Sequence, residues 1–129
     1  MTDKEELRRT YSIRFQGLEE YRNEIWKILV GNFFGRWIPV DSRVLDLGCG
    51  YGEFINNVPD CKRHAMDLNS DSGKHLDKDI HFHQQDCSKP WGIAPRSLDV
   101  IFSSNFFEHL PDKEALDQTI GHAMQALKP

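Results

Sequence analysis

An apolar segment in the first half of this 129-residue chain runs directly into a turn rich in glycine. Residues 44–47 are Val-Leu-Asp-Leu, and Gly48, Gly50 and Gly52 follow at alternate positions. Glycine readily adopts positive φ angles and lets the backbone approach a ligand without a Cβ atom in the way. In open α/β sheets, such a turn at the carboxyl end of the first parallel strand binds nucleotide-like ligands. This segment therefore constrains the fold and the ligand together.

A dinucleotide fold would carry three glycines in the pattern G-x-G-x-x-G after such a strand. Counted from Gly48, the third glycine position holds Glu53, and counted from Gly50 it holds Ile55. Glu53 also lies where a pyrophosphate would approach the following helical segment, and two anions there would repel each other. The turn, with Asp46 inside it, favours a positively charged ligand without phosphate.

Hydrophobic periodicity predicts one long helix followed by alternating strands and helical segments. Apolar residues spaced by three and four predict the helix over residues 4–30, and Gly31 is a natural place for it to end. The alternation that follows favours an α/β fold with a parallel sheet and right-handed crossovers. Strands are predicted over residues 43–47, 62–66, 80–84 and 98–103, and helical segments over 53–58, over 70–76 and after the capping residue Asp112.

Acidic residues follow three of these strands at the point where each strand ends. Asp46 closes the first strand, Asp67 the second and Asp86 the third. Because the carboxyl ends of parallel strands meet at one edge of a sheet, we expect these carboxylates to converge over the glycine turn. Asp67 lies 17 residues after Gly50, which is about the spacing at which an acid reaches the hydroxyls of a ribose.

These motifs resemble those of class I S-adenosylmethionine-dependent methyltransferases. The order hydrophobic-Asp-Leu-Gly-Cys-Gly-x-Gly is similar to the glycine motif of that family. Residues 64–69 resemble its second motif, residues 84–87 its third, and residues 97–105 its fourth, followed by Glu-His-Leu at 108–110. The match covers residues 43–128 and implies a Rossmann-like, three-layer sheet of about four parallel strands, incomplete relative to the family, with a long N-terminal helix.

The resemblance implies S-adenosylmethionine as the cofactor and methyl transfer as the activity. Asp67 would bind the ribose, Asp86 the adenine amine, and the backbone N–H of Cys87 the adenine ring. His109 is our candidate base for an acceptor that must lose a proton, and Asn105 and Ser104 are our candidates for orienting that acceptor. The Glu-His-Leu ending resembles the branch that methylates small molecules and glycan or lipid precursors. The implied cofactor-binding residues are Asp46, Gly48, Cys49, Gly50, Gly52, Asp67, Leu68, Asp86, Cys87 and Ser104.

The same resemblance divides the chain into an N-terminal helical lid, residues 1–38, and a cofactor-binding region, residues 39–129. Members of the family usually continue with three more strands beyond the fourth. We therefore expect either a fragment or a homodimer in which a second copy covers the exposed edge of the fourth strand. Two other functions stay open: a cofactor-binding module without catalysis, and, less favoured, an NAD-binding oxidoreductase domain.

Composition excludes several other classes of function. A net charge of −4 gives no basic surface for nucleic acid, and no apolar run is long enough for a membrane span. A polar N-terminus and three cysteines without a C-x-x-C pair indicate a cytoplasmic protein with reduced thiols.

His81 and His83 share one face of a predicted strand, but we expect no metal because no third ligand has suitable spacing. Tyr11 and Phe15 would either lie over the sulfonium or pack in the core.

Overall fold

In the part of the chain that the structure describes, four short parallel strands form one sheet with a helix on each face. The computed structural model describes residues 2–129, apart from the side chains of residues 11, 12 and 14–16. The helices are α1, Asp3–Asn32, and α2, Lys113–Ala126; the strands are β1, Arg43–Leu47, β2, Lys62–Asp67, β3, His81–Gln84, and β4, Val100–Phe102. Short 3₁₀ turns cover Phe34–Trp37, Ile55–Asn57, Ser70–His75 and Phe107–His109.

The strands lie in the order β3-β2-β1-β4, and every pairing is parallel. Val44, Leu45 and Leu47 of β1 are all buried, as expected for a parallel strand that is covered on both faces. Among the described strands, β4 pairs with β1 on one side and forms the edge of the sheet on the other. The sheet confirms the predicted Rossmann-like α/β fold with about four strands.

Side chains of β1 alternate between two hydrophobic clusters. Val44 packs in one cluster with Val30 of α1 and Ala65 of β2, whereas Leu45 packs in the other with Ala126 of α2. The alternation follows from the pleat of a strand, which turns successive side chains to opposite faces. The chain therefore has three layers, with α1 and α2 on opposite sides of the sheet.

The predicted N-terminal helix is confirmed, and it ends at Asn32, just beyond Gly31. It begins with a capping box, in which the Thr2 hydroxyl accepts from the Glu5 N–H at 3.3 Å and the Glu5 carboxylate accepts from the Thr2 N–H at 3.0 Å. Neither α1 nor α2 in the described part of the chain has the length and hydrophobicity to span a lipid bilayer.

Much of the apolar face predicted for α1 is exposed. Leu7, Leu18 and Tyr21 have exposed fractions of 58, 56 and 65%, whereas Val30, near the end of the helix, is buried. Thirty helical residues extend about 45 Å and the five residues of β1 only about 17 Å. The sheet is therefore too short to cover the whole helix, and only the last turns of α1 pack on it.

The helical segment after the glycine turn and the fourth strand differ most from their predicted bounds. The helical segment expected over residues 53–58 is a single 3₁₀ turn, Ile55–Asn57, because Pro59 favours extended backbone at the residue before it. The fourth strand starts two residues later than predicted because the backbone of Leu98 pairs with the end of α2. The Leu98 N–H donates to the carbonyl of Ala126 at 2.9 Å.

Candidate functional site

The turn after β1 is held in the left-handed region of backbone space. Gly48, Gly50 and Gly52 have φ angles of 72, 53 and 77°, which cost glycine nothing sterically. The N–H groups of Gly48 and Cys49 both donate to the carbonyl of Met66, at 2.9 and 3.1 Å. The end of β2 therefore fixes the turn across the carboxyl edge of the sheet.

Gly48 and Gly50 differ in what lies next to them. A Cβ atom on Gly48 would lie 2.2 Å from Cγ of Phe106, so the aromatic ring packs directly against the backbone there. A Cβ atom on Gly50 would meet no other atom within 4 Å. The space over Gly50 is therefore open to a ligand that approaches the backbone closely.

A cavity of about 280 Å³ lies at the carboxyl edge of the sheet, between the turns that follow β1 and β4. The chain passes from β1 outward to β2 and β3 and then returns to place β4 on the other side of β1. Open α/β sheets bind their ligands at such a reversal of strand order. The cavity is lined by Arg22, Trp26, Asp46, Gly48, Cys49, Gly50, Tyr51, Glu53, Phe54, Phe102, Ser104 and Asn105.

Asp46 forms the buried acidic wall of this cavity, with an exposed fraction of 3%. Burial raises the pKa of its carboxyl group from 3.8 to about 7; the Ile55 backbone N–H opposes this effect, and the charges of Asp67 and Glu53 add to it. Burial likewise raises the pKa of the neighbouring Cys49 thiol, which makes that thiol a poor nucleophile. A cationic ligand would favour the ionised form of Asp46.

Asp67 lies at the end of β2, where its carboxylate braces the glycine turn. One oxygen accepts from the Gly50 N–H at 2.9 Å, and the other accepts from the Asn69 N–H at 2.9 Å. Each carboxylate oxygen keeps a second lone pair, so Asp67 can also accept from ligand hydroxyls. Burial is the main cause that raises the pKa of the Asp46 carboxyl and of the Cys87 thiol, and the charge of Asp67 adds a smaller rise to both.

Asp86 lies two residues beyond β3 and binds its own turn. Its Oδ1 accepts from the Ser88 N–H at 2.9 Å and from the Ser88 hydroxyl at 2.7 Å, and these bonds lower the pKa of the Asp86 carboxyl. Cys87 is buried, with its Sγ 3.3 Å from the Thr119 hydroxyl of α2, and Leu68 is exposed. Of the three acids, Asp46 lines the cavity, while Asp67 and Asp86 lie along the same sheet edge beyond the glycine turn.

A sequence model of the family described as "Methyltransferase domain" matches residues 18–129, which include the glycine turn, all three acids and the segment after β4. The chain belongs to the methyltransferase-domain family. This membership confirms the resemblance to class I S-adenosylmethionine-dependent methyltransferases and implies S-adenosylmethionine as the cofactor.

Solved structures share the fold of this methyltransferase domain. An S-adenosylmethionine-dependent methyltransferase from Archaeoglobus fulgidus is 25% identical, with a TM-score of 0.68 over 89% of this chain and 53% of that one. A TehB-like methyltransferase from Corynebacterium glutamicum is 15% identical, with a TM-score of 0.68 over 92% of this chain and 66% of that one. A complex of the Haloferax volcanii Trm112 methyltransferase activator with a methyltransferase gives 20% identity and a TM-score of 0.67, over 90% of this chain and 52% of the matched one. The chain thus spans between half and two thirds of these structures. No curated protein matches it.

The segment after β4 supplies the third side of the cavity in the methyltransferase domain. Ser104 and Asn105 both line it, and Asn105 adopts a φ angle of 51°, which places it in the left-handed region. His109 lies farther along, in the 3₁₀ turn, with its side chain 72% exposed and its Nε2 3.7 Å from a carboxylate oxygen of Glu108. The candidate base therefore lies outside the set of residues that line the cavity.

Aromatic side chains form a wall of the cavity that the sequence did not predict. Phe54 and Phe102 stack with centroids 3.7 Å apart, and Trp26 of α1 packs edge-on against Phe102 at 5.9 Å. The sequence instead offers Tyr11 and Phe15, either over the sulfonium or in the core, and their side chains lie outside the described residues. Two positions in the sequence could have indicated this wall, because Phe54 follows the glycine turn and Phe102 closes the fourth strand.

An ion pair stands at the mouth of the cavity and ties α1 to the glycine turn. Arg22 donates to the carboxylate of Glu53 at 3.1 Å, and both residues line the cavity. The Glu53 side chain is only 18% exposed. The pairing explains how Glu53 is accommodated near Asp46, because the guanidinium of Arg22 offsets part of its negative charge.

Three histidines meet at the pairing of β2 with β3, and only two of them were expected to share a face. His64 of β2 joins His81 and His83 of β3, and their ligating nitrogens all lie within 4.8 Å of one another. Burial lowers the pKa of His64 and lowers that of His83 to about 4, and the charges of neighbouring histidines add to both effects. Spacing along the chain gave no third ligand, because His64 becomes a neighbour only through the parallel pairing of β2 with β3.

Proposed function

We propose that this methyltransferase domain binds S-adenosylmethionine over its glycine turn and transfers the methyl group to a small-molecule, glycan or lipid-precursor acceptor. The observation that carries the proposal is one cavity in which a buried acid, Asp46, faces open backbone at Gly50 beside an aromatic wall. Acid and aromatic faces both favour a cation, and S-adenosylmethionine carries an ammonium and a sulfonium.

The proposed cofactor contacts follow the sheet edge. Asp46 would face the positively charged end of the cofactor, Asp67 the ribose hydroxyls, and Asp86 with Cys87 the adenine. The open position over Gly50 supports this placement, because a ligand there approaches the backbone without meeting a side chain. Trp26, Phe54 and Phe102 would exclude water from the sulfonium.

The bound cofactor supplies an activated methyl group, so that an acceptor lone pair forms the new bond as the carbon–sulfur bond breaks and its electrons stay on sulfur. The protein then mainly positions and desolvates the two reactants. In the proposal Ser104 and Asn105, which line the cavity, hold the acceptor. His109 remains the proposed base for an acceptor that must lose a proton, and the lid assigned to residues 1–38 would bring Trp26 and Arg22 over the site.

Isothermal titration calorimetry with S-adenosylmethionine tests the cofactor site. Replacing Asp67 with Ala is expected to weaken binding by about 1.5–3 kcal/mol, because charge-assisted hydrogen bonds to the ribose are lost. The Asp117→Ala variant, altered at an exposed acid of α2, is the matched control and should bind like the unmodified chain. Equal dissociation constants for the Asp67 variant and the control would remove Asp67 from the proposed site.

The two alternative functions give different results in the same experiment. A binding module without catalysis would bind S-adenosylmethionine but produce no S-adenosylhomocysteine with any acceptor. This alternative stays open because the proposed base, His109, is exposed and does not line the cavity. An NAD-binding domain would bind NADH instead. The 3₁₀ turn Ile55–Asn57 argues against NAD, because it offers no helix N-terminus for a pyrophosphate after the glycine turn.

Two further proposals concern the oligomeric state of the protein and its location in the cell. We propose that a second copy covers the outer edge of β4, whose backbone groups point away from β1, and light scattering that gives a monomer at working concentration would refute this homodimer. The three cysteines, none of them in a disulfide, support the cytoplasmic location that the sequence predicts.

A further inference from the structure

The histidine cluster arises from the register of the two outermost strands. In the parallel pairing of β2 with β3, His64 lies opposite His81, and Met66 lies opposite His83. Residues paired in this way, and residues two apart on one strand, turn their side chains to the same face. The register therefore places His64, His81 and His83 on one patch of the sheet.

The separations of the ring nitrogens suit a metal ion. His64 Nδ1 lies 3.1 Å from His83 Nε2, and one nitrogen from each of the three rings lies within 4.8 Å of the other two. Tetrahedral zinc with zinc–nitrogen bonds of about 2.0–2.1 Å needs nitrogens about 3.3 Å apart. The His64–His83 pair is close to this separation, and a metal ion would replace the hydrogen bond that now joins the two rings. His81 stacks on both rings, and its exposed side chain can turn about its two χ angles to complete the set.

We propose that His64, His81 and His83 form a binding site for a divalent transition-metal ion, with zinc as the reference ion. Imidazole is a preferred ligand of zinc, copper and nickel. Three protein nitrogens leave a fourth tetrahedral position for water or another ligand. Because His81 is exposed and the other two rings are half-buried, that fourth position faces solvent.

This metal site is separate from the proposed cofactor site. His64 lies on the face of β2 that carries Met66, which packs with Leu45, whereas the cavity adjoins the opposite face, where Asp46 and Phe102 lie. His64 also precedes Asp67 by three residues, about 10 Å along the strand. The proposal therefore does not rest on the proposed function, and an ion there would cross-link the edge strand β3 to β2.

Zinc titration of the tag-free chain, after treatment with EDTA and removal of the chelator, tests the site. We expect one zinc ion per chain, and a melting temperature that rises with zinc concentration because the ion binds the folded form. The His81→Gln variant should weaken binding at least about tenfold, since even the loss of an outer-shell partner costs about 10–100-fold. His81 is exposed, so its replacement is expected to leave the fold intact.

The matched control is His75→Gln, which changes another exposed histidine that stacks on Tyr51, away from the cluster. Equal zinc affinity in the His81 and His75 variants would overturn the proposal. The absorption spectrum of the chain with Co²⁺ in place of zinc shows independently which side chains bind the ion. Thiolate charge-transfer bands would assign the ion to a cysteine and would also overturn the proposal. Anomalous diffraction from a zinc-soaked crystal should place one peak among the three rings, and a peak elsewhere alone would refute the site.

Discussion

The buried carboxyl group of Asp46 makes the stability of the folded chain depend on pH in a direction opposite to that of most acids. Its pKa is about 7 in the folded protein, against the ordinary value of 3.8, chiefly because of burial. Between these pH values the folded chain holds a proton that the unfolded chain has released. The free energy of unfolding therefore falls as the pH rises through this window, by about 1.4 kcal/mol per pH unit.

The Asp46→Asn variant isolates this effect, because the amide has nearly the same shape and cannot ionise. From pH 5.5 to pH 8 the unmodified chain should lose about 2 kcal/mol that the variant keeps, most of it below pH 7, and the difference should level off near pH 8. Urea denaturation of both proteins from pH 5.5 to pH 8, with EDTA present, measures it. The lowered pKa values of His64 and His83 act in the opposite direction, but they are common to both proteins and cancel in the comparison.

Parallel stability curves for the two proteins across this range would refute the reasoning, since Asp46 would then ionise in the folded chain at its ordinary pH.

Proton release on ligand binding gives a second, independent test of the raised pKa of Asp46. If the cation of S-adenosylmethionine pairs with the ionised form, binding at pH 6 should release a proton, whereas binding at pH 8 should not. Calorimetry in two buffers of different ionisation enthalpy detects this release, and the variant should show none.

Two other substitutions give sharp expectations. Gly50→Ala places a Cβ atom in open space but at a φ angle of 53°. It should cost about 1–2 kcal/mol of stability and reduce the affinity for S-adenosylmethionine at least tenfold, as measured by calorimetry. Gly17→Ala, at an exposed position of α1 with no atom within 4 Å, is the control and should bind normally. Asp112→Ala removes the helix cap that accepts from the Ala115 N–H at 2.8 Å, and it should lower the free energy of unfolding by about 1 kcal/mol in thermal unfolding. Asp117→Ala in the same helix should change this stability little. Equal losses in the two variants would contradict the capping role of Asp112.

The local features of the chain were predictable from the sequence because short-range chemistry sets them. The bounds of β1, the glycine turn and the cap of α2 depend on neighbouring residues, on the φ range open to glycine, and on a carboxylate that can reach the next backbone N–H groups. The position of Asp67 at the end of β2 followed in the same way, because the strand pattern stops at that residue.

Which distant residues meet was decided only when the chain folded. Trp26 reaches the cavity because the last turns of α1 dock on the sheet, and periodicity alone cannot say which arc of a helix will find a partner. The position of His109 outside the cavity lining depends on the path of the loop after β4, which has no repeating pattern to read.

The sequence by itself therefore determined the fold class and the acidic, glycine-lined edge of the sheet, since both arise from residues close together along the chain. Tertiary structure alone decided the burial that raises the pKa of Asp46 and the meeting of His64 with His81 and His83. Desolvation and strand register are properties of the packed molecule: each depends on groups far apart in the chain that are brought together when the hydrophobic layers close.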